Sequence, residues 1–178
     1  MEETKHLNTK SKILEGVRSY LIKNGSQNFS ARSVAKAAGV NHGLIHHYFG
    51  SKEKLILAFI DYFDQQVENK FKEKVKGIKE KSELAVIINE LMLDPSVSSV
   101  VVELLPMGKE STLIRERMNS LIQGRIELMA QMLEIRDRRD AVMMVGMVIG
   151  MVFISQVDAE LTVEPVIKRF IEKIEEKK

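Results

Sequence analysis

The sequence predicts an all-α fold of about nine helices: a three-helix helix-turn-helix domain first, then a helical domain behind it. Three observations carry this expectation. Apolar residues recur at helical spacing along nearly all of the 178 residues. Breakers are scarce, with 3 prolines and 10 glycines, and aromatic residues reach only 6%, so strand-forming stretches are few. Leu, Ile, Val, Met, Glu and Lys dominate instead, and most of these are good helix formers.

Each element has a local reason. Ile13, Leu14, Val17, Tyr20 and Leu21 mark the first helix, and Asn24-Gly25 stops it. Ser30 can cap a short second helix with Val34, Ala35 and Ala38 on its buried side; Gly39 permits a sharp turn. Asn41 caps a third helix running to about Phe49. Gly50-Ser51 ends it and starts a long fourth helix with Leu55, Phe59, Phe63, Val67 and Phe71 on one stripe. Ser82 opens a segment reaching Leu93. Asp94-Pro95 reads as an N-cap followed by proline at the first helical position, and that helix is expected to stop near Leu105, before Pro106-Met107-Gly108. Ser111 or Thr112 begins another, ending around Glu134. Asp137 with Asp140 starts a Met-rich helix, and Thr162 with Pro165 starts the last.

Composition excludes several classes. Hydrophobic residues at 44% and charged residues at 29% describe a globular chain, not a disordered one. With 0 cysteines there are no disulfides, thiolate metal sites or Cys nucleophiles. Met1-Glu2-Glu3-Thr4-Lys5 has no apolar core, so no signal peptide is expected. The apolar run Ala141–Ile154 is 14 residues long, short of the ~20 that span a membrane. A cytoplasmic chain without a membrane partner is the expectation. The net charge of +2 is unevenly spread: residues 1–63 hold nine Lys/Arg against five Asp/Glu and all 4 histidines, whereas the remainder holds eighteen against twenty. A basic end of this kind suits a polyanion.

The informative stretch is Ser30 to Lys54, SARSVAKAAGVNHGLIHHYFGSKEK. A short helix, a Gly-containing turn and a second short helix form the unit that lays its second helix in the major groove. Ile45 and Phe49, with Val40 below, lock that helix inward; Gly43, Leu44 and His47 point away, with His42 and His46 along the flank. The stretches Val34-Ala35-Lys36-Ala37-Ala38-Gly39-Val40, His47-Tyr48-Phe49 and Ser51-Lys52-Glu53-Lys54-Leu55 resemble the DNA-binding domain of the TetR (tetracycline-repressor-like) family of bacterial regulators. The likeness covers residues 7–67, with the helix-turn-helix at about 30–49. Residues 68–178 resemble the family only in being helical and of similar length, and are expected to form the regulatory and dimerisation domain.

The resemblance implies base-edge readers at Asn41, His42, Gly43 and Leu44, and phosphate or base contacts from His46, His47 and Tyr48. It implies a backbone clamp from Lys52 and from the start of the second helix with Ser30 and Arg32. The physics agrees, because a helix N-terminus binds phosphate through free N–H groups and a lysine adds a salt-sensitive charge. The family usually carries a tyrosine where this chain has His46, so the charge of that contact depends on pH. Tyr48 reads equally well as a core aromatic with its hydroxyl at the surface. His42 and His46 sit at i, i+4, but the helix supplies no acidic third ligand, so neither metal nor cofactor is expected.

Of the 10 methionines, seven lie between Met118 and Met151. They form either a soft core or an adaptable apolar pocket, for which Met118, Met143, Met147 and Met151 are the candidates. Gly146 and Gly150 among them allow close approach by a helix or a flat ligand. Ile149 and Phe153, with Ile167, Phe170, Ile171 and Ile174 of the terminal helix, are the candidate dimer surface, since in the family the last two helices of each subunit pair into a four-helix bundle. The expectation is thus a homodimeric regulator, not an enzyme. It would bind a pseudo-palindromic operator in double-stranded DNA as a repressor and be released by a small, apolar ligand. The alternative is a DNA-binding regulator without a small-molecule ligand, controlled by a protein partner.

Overall fold

A computed structural model describes residues 2–158, 160 and 162–176, with side chains from residue 8 onward. Among them are nine helices and no strand: α1 (Glu2–Asn24), α2 (Ala31–Ala38), α3 (His42–Phe49), α4 (Lys52–Val75), α5 (Glu83–Met92), α6 (Pro95–Glu110), α7 (Thr112–Met132), α8 (Arg138–Ile154) and α9 (Glu164–Glu175). Among the described residues no single helix is long and apolar enough to cross a membrane.

The chain divides into two compact units, Met1–Gln65 with Ser99–Arg117, and Gln66–Ser98 with Met118–Lys178. The first contains α1 to α3, the start of α4, and most of α6 with the α7 entry. α1 ends at Gly25, whose φ of 70° is left-handed and whose amide donates to the Leu21 carbonyl at 2.9 Å. Ser30 and Ser33 form a reciprocal capping box on α2, with Ser33 N to Ser30 Oγ at 3.1 Å and Ser30 N to Ser33 Oγ at 2.9 Å. Gly39, at φ 61°, turns the chain into α3. α1 and α2 pack so closely that a Cβ on Gly16 would lie 2.5 Å from the Ala38 Cβ. Ile13, Val17, Leu21, Val34, Ile45, Leu55 and Phe59 are buried in the first unit, and Leu104, Met107 and Ile114 are buried with them.

That last group corrects the expected stop near Leu105. α6 runs through Pro106 to Glu110. An interior proline forfeits one hydrogen bond and costs about 3 kcal/mol. Burying Leu104 and Met107, at about 1.5–3 kcal/mol each, offsets that. Asp94 does cap α6 as expected, its Oδ1 accepting from Ser96 N at 2.8 Å.

The second unit has its own core, built on Leu84, Ile88, Ile126, Leu133, Met144, Val148, Ile167 and Ile171. Asp137 caps α8 through Arg139 N at 2.9 Å. The α9 N-cap is Val163, which has no side chain to cap with; Asn89 Oδ1 from α5 accepts from Val163 N at 2.7 Å and Glu164 N at 3.3 Å instead. The start expected from Thr162 is therefore supplied by a residue on another helix.

Candidate nucleic-acid interface

The turn between α2 and α3 is fixed by backbone geometry, and α3 is fixed by two side chains. Ile45 and Phe49 are 2% and 6% exposed, which pins one face of α3 inward. His42, Gly43, His46 and His47 are exposed on the rest of the helix, while Leu44 and Tyr48 are half-buried. Tyr48 stands between His47 and Phe49, at ring-centroid distances of 5.2 and 6.4 Å. It is thus neither fully enclosed nor fully exposed.

Some candidate contacts are already employed by the fold. Asn41 Oδ1 accepts from Gly43 N at 2.9 Å, so its amide NH2 is the group left to offer a base. The Ser30 hydroxyl serves the capping box. That box uses the Ser30 and Ser33 amides and leaves those of Ala31 and Arg32 to an anion at the start of α2. The exposed Arg32 side chain stands at the same end. Lys52, first residue of α4, is exposed, with Nζ 5.8 Å from the Phe29 ring centroid. Ser51 Oγ accepts from Lys54 N at 3.1 Å and sets the α4 start behind it.

No acidic residue occurs from Ser30 to Lys52, where Arg32, Lys36 and Lys52 stand. Lys12 of α1 adds a cation at the turn, its Nζ 3.5 Å from the Gly39 carbonyl oxygen. A polyanion meets positive charge and backbone N–H groups here, and no carboxylate within that stretch.

Three residues hold this surface through partners far away in the sequence. Glu103 of α6 accepts from Ser26 N at 2.5 Å, securing the connection that leads to α2. The Ser111 hydroxyl donates to Glu53, next to Lys52, and Ser111 Oγ also accepts from Ile114 N at 3.2 Å to start α7. Arg117 Nε reaches Asp61 on α4 at 2.5 Å. A cavity of about 240 Å³ in this unit is bordered by Phe29, Lys52 and Met107.

The candidate ligand and dimer residues divide differently. Met118, Met147 and Met151 are half-buried in the second unit. Met143 is 61% exposed on α8 and so is not enclosed; Ala141, Met144, Val145, Val148 and Val152 take the inward face of that helix, out of phase with residue 143. Ile167, Ile171 and Ile174 are buried in their own unit's core, where α9 packs on α5, and they offer no surface to a second copy. Ile149 and Phe170 are half-buried, and Phe153 is 41% exposed. Among the described residues no three His, Asp or Glu side chains converge as metal ligands.

Comparison with known proteins bears on the first unit. Residues 13–59 match the family model described as bacterial regulatory proteins, tetR family. The HTH-type transcriptional regulator UidR of Escherichia coli (strain K12) is 31% identical over 70 residues, 39% of this chain and 36% of UidR. The HTH-type transcriptional repressor AcnR of Corynebacterium efficiens is 41% identical over 54 residues, 30% of this chain and 29% of AcnR. The match thus spans about a third of the length of these curated relatives. Over the whole fold, a protein from Saccharomonospora viridis crystallised in complex with choline superposes with a TM-score of 0.77 at 16% identity, covering 95% of this chain and 96% of that one. Such a likeness speaks for the fold. The residues that carry this match lie in α1 to α4, and it is this part of the chain that resembles the TetR family of bacterial regulatory proteins.

Proposed function

We propose that this protein is a homodimeric transcriptional repressor that reads a pseudo-palindromic DNA operator and is released by a small, largely apolar ligand. The observation that carries the reading is the exposed α3 face, His42, Gly43, His46 and His47, held by buried Ile45 and Phe49 and flanked by Arg32 and Lys52. A helix held in that way inserts into the major groove, while the flanking cations and helix N-termini bind phosphate and set register. Imidazole donors and the Asn41 amide would read base acceptors, the Leu44 methyls would meet a thymine methyl, and Gly43 lets the backbone come close.

Repression is supported by the name of AcnR, and a ligand-responsive core by the choline complex of the Saccharomonospora protein. Half-buried Met118, Met147 and Met151 are the candidate lining. α4 runs continuously from the phosphate clamp at Lys52 to Phe71 and Val75, which pack on the second core. A ligand that favours one arrangement of that core would move α4 and change the separation of the two reading helices, which must match a multiple of ~34–36 Å along DNA.

For the dimer, the exposed stripe of α8 serves better than the buried face of α9. Val142 and Phe153 of α8 are 40% and 41% exposed, Val157 in the turn just beyond it is 88% exposed, and Cβ atoms added to Gly146 or Gly150 would meet nothing within 4 Å. A second copy laid along this stripe would cover it, the glycines admitting close approach.

The test is selection of duplexes from a randomised pool at two salt concentrations. An enriched inverted repeat is expected, with binding lost when His47 and Lys52 are both changed to alanine. Uniform, salt-sensitive binding with no enriched sequence would overturn the reading.

A further inference from the structure

Three of the chain's 4 histidines lie exposed on α3, and His46 and His47 occupy its last turn, where the carbonyl end of a helix favours a cation. His46 is held in a particular way. Its Nδ1 lies 3.3 Å from the Gly50 carbonyl oxygen. A carbonyl only accepts, so a hydrogen bond there puts the proton on Nδ1. A neutral ring then keeps Nε2, on its other side, as a bare lone pair that repels a phosphate oxygen. In the other neutral tautomer Nε2–H donates, but the Nδ1 lone pair faces the Gly50 oxygen. Only the imidazolium donates in both directions at once.

The neighbouring elements raise the stakes for that choice. α1 brings Lys10, whose Nζ is 5.9 Å from the Phe49 ring centroid, and Lys12. α2 brings Arg32 and Lys36, and the start of α4 brings Lys52, Glu53 and Lys54. On α3 itself stand His47 and His42, the latter with its ring centroid 6.3 Å from that of His46. Glu53 is the one carboxylate in this set, and it accepts the hydroxyl hydrogen of Ser111. The approaching polyanion is therefore the partner that rewards an added positive charge.

We propose that DNA binding is coupled to protonation of His46, so that affinity rises as pH falls across the neutral range. This rests on the DNA-reading function above. His46 takes a proton from solvent onto its vacant nitrogen, then donates from Nδ1 to the Gly50 carbonyl and from Nε2 to a phosphate oxygen. The sign follows from linkage. The complex holds the proton more tightly than the free protein does, so the contribution is present at low pH and lost as pH rises through the value for the complex.

The test uses the full chain, a labelled inverted-repeat duplex from the selection, and a scrambled duplex of equal length. Affinities are read at constant ionic strength near pH 6, 7 and 8, the interval in which histidine ordinarily titrates. Wild type should bind several-fold more tightly at pH 6 than at pH 8. Calorimetry near pH 7 should show a binding heat that changes with the buffer's ionisation enthalpy, because a proton is taken up. His46→Gln, which donates and accepts without titrating, should bind with a flat profile. A flat wild-type profile, or a slope that survives in His46→Gln, overturns the coupling while leaving the DNA reader intact. Failure of a folded, helical protein to bind either duplex at any pH overturns the DNA-reading function itself, and the coupling with it.

Discussion

At Gly16 α1 packs tightly against Ala38 of α2, and two effects compete there. An alanine would gain about 1 kcal/mol of helix propensity. Its Cβ, however, would lie 2.5 Å from the Ala38 Cβ and 2.9 Å from the Ala38 Cα and N. Backbone atoms cannot swing aside as a flexible side chain can, so sterics win. Gly16→Ala should destabilise the protein by about 1–3 kcal/mol, the usual cost of overpacking, seen as a lower urea midpoint with little change in slope. An unchanged or higher midpoint would show that the two helices part easily. At this scale much was legible in advance. Ser30 with Ser33, Asn41 with Gly43 and Asp137 with Arg139 are pairings within three residues, and such pairings have a recognisable residue pattern. Glu103 with Ser26 and Asn89 with Val163 are separated by 77 and 74 positions, so nothing near either residue announces its partner.

Among the elements, α9 depends most on help from elsewhere. Its inward stripe of Val163, Ile167, Ile171 and Ile174 was visible as a period, but the period does not say whether a subunit's own core or a second copy covers it. The structure assigns the stripe to the subunit, against α5. The same α5 supplies the missing cap: Asn89 satisfies two amides at the α9 N-terminus. Asn89→Ala should cost about 1–2 kcal/mol, lowering the thermal midpoint, whereas Asn89→Asp, which keeps the acceptor, should retain most of the stability. Equal losses in both variants would mean that the packing of Asn89 matters and its oxygen does not. α6 makes a related point. Pro106 looked like a stop because local chemistry says so, yet the helix runs through it to Glu110 and buries Met107 beyond it.

For the whole molecule, the exposed stripe of α8 makes the oligomeric state the informative quantity. Phe153→Lys would place a charge in the proposed dimer contact and should weaken association by at least about 2 kcal/mol, roughly thirtyfold. Sedimentation over a concentration series should then show monomer where wild type shows dimer, with helical content unchanged. A variant that stays dimeric would move the interface elsewhere. The caps, the turn and the inward-facing residues of α2 and α3 were legible from the sequence, because a helix-turn-helix is a short contiguous unit. The second unit was less so, since which of its methionines and isoleucines are buried depends on helix phase and on distant neighbours.

The association of Ser99–Arg117 with the first unit has a consequence for how the protein is made. Leu104, Met107 and Ile114 close that unit's apolar interior, yet they follow Gln65 by dozens of positions in the chain. During translation at roughly 5–20 residues per second, the N-terminal helices emerge seconds before the segment that covers them. The nascent head must wait with its interior partly open, and the intervening stretch must be synthesised before it can close. A unit interleaved in this way is not a cassette that can be cut after α4 and grafted elsewhere. Its completion is tied to synthesis of residues 99–117, so a chain terminated before them would leave the first unit's interior open.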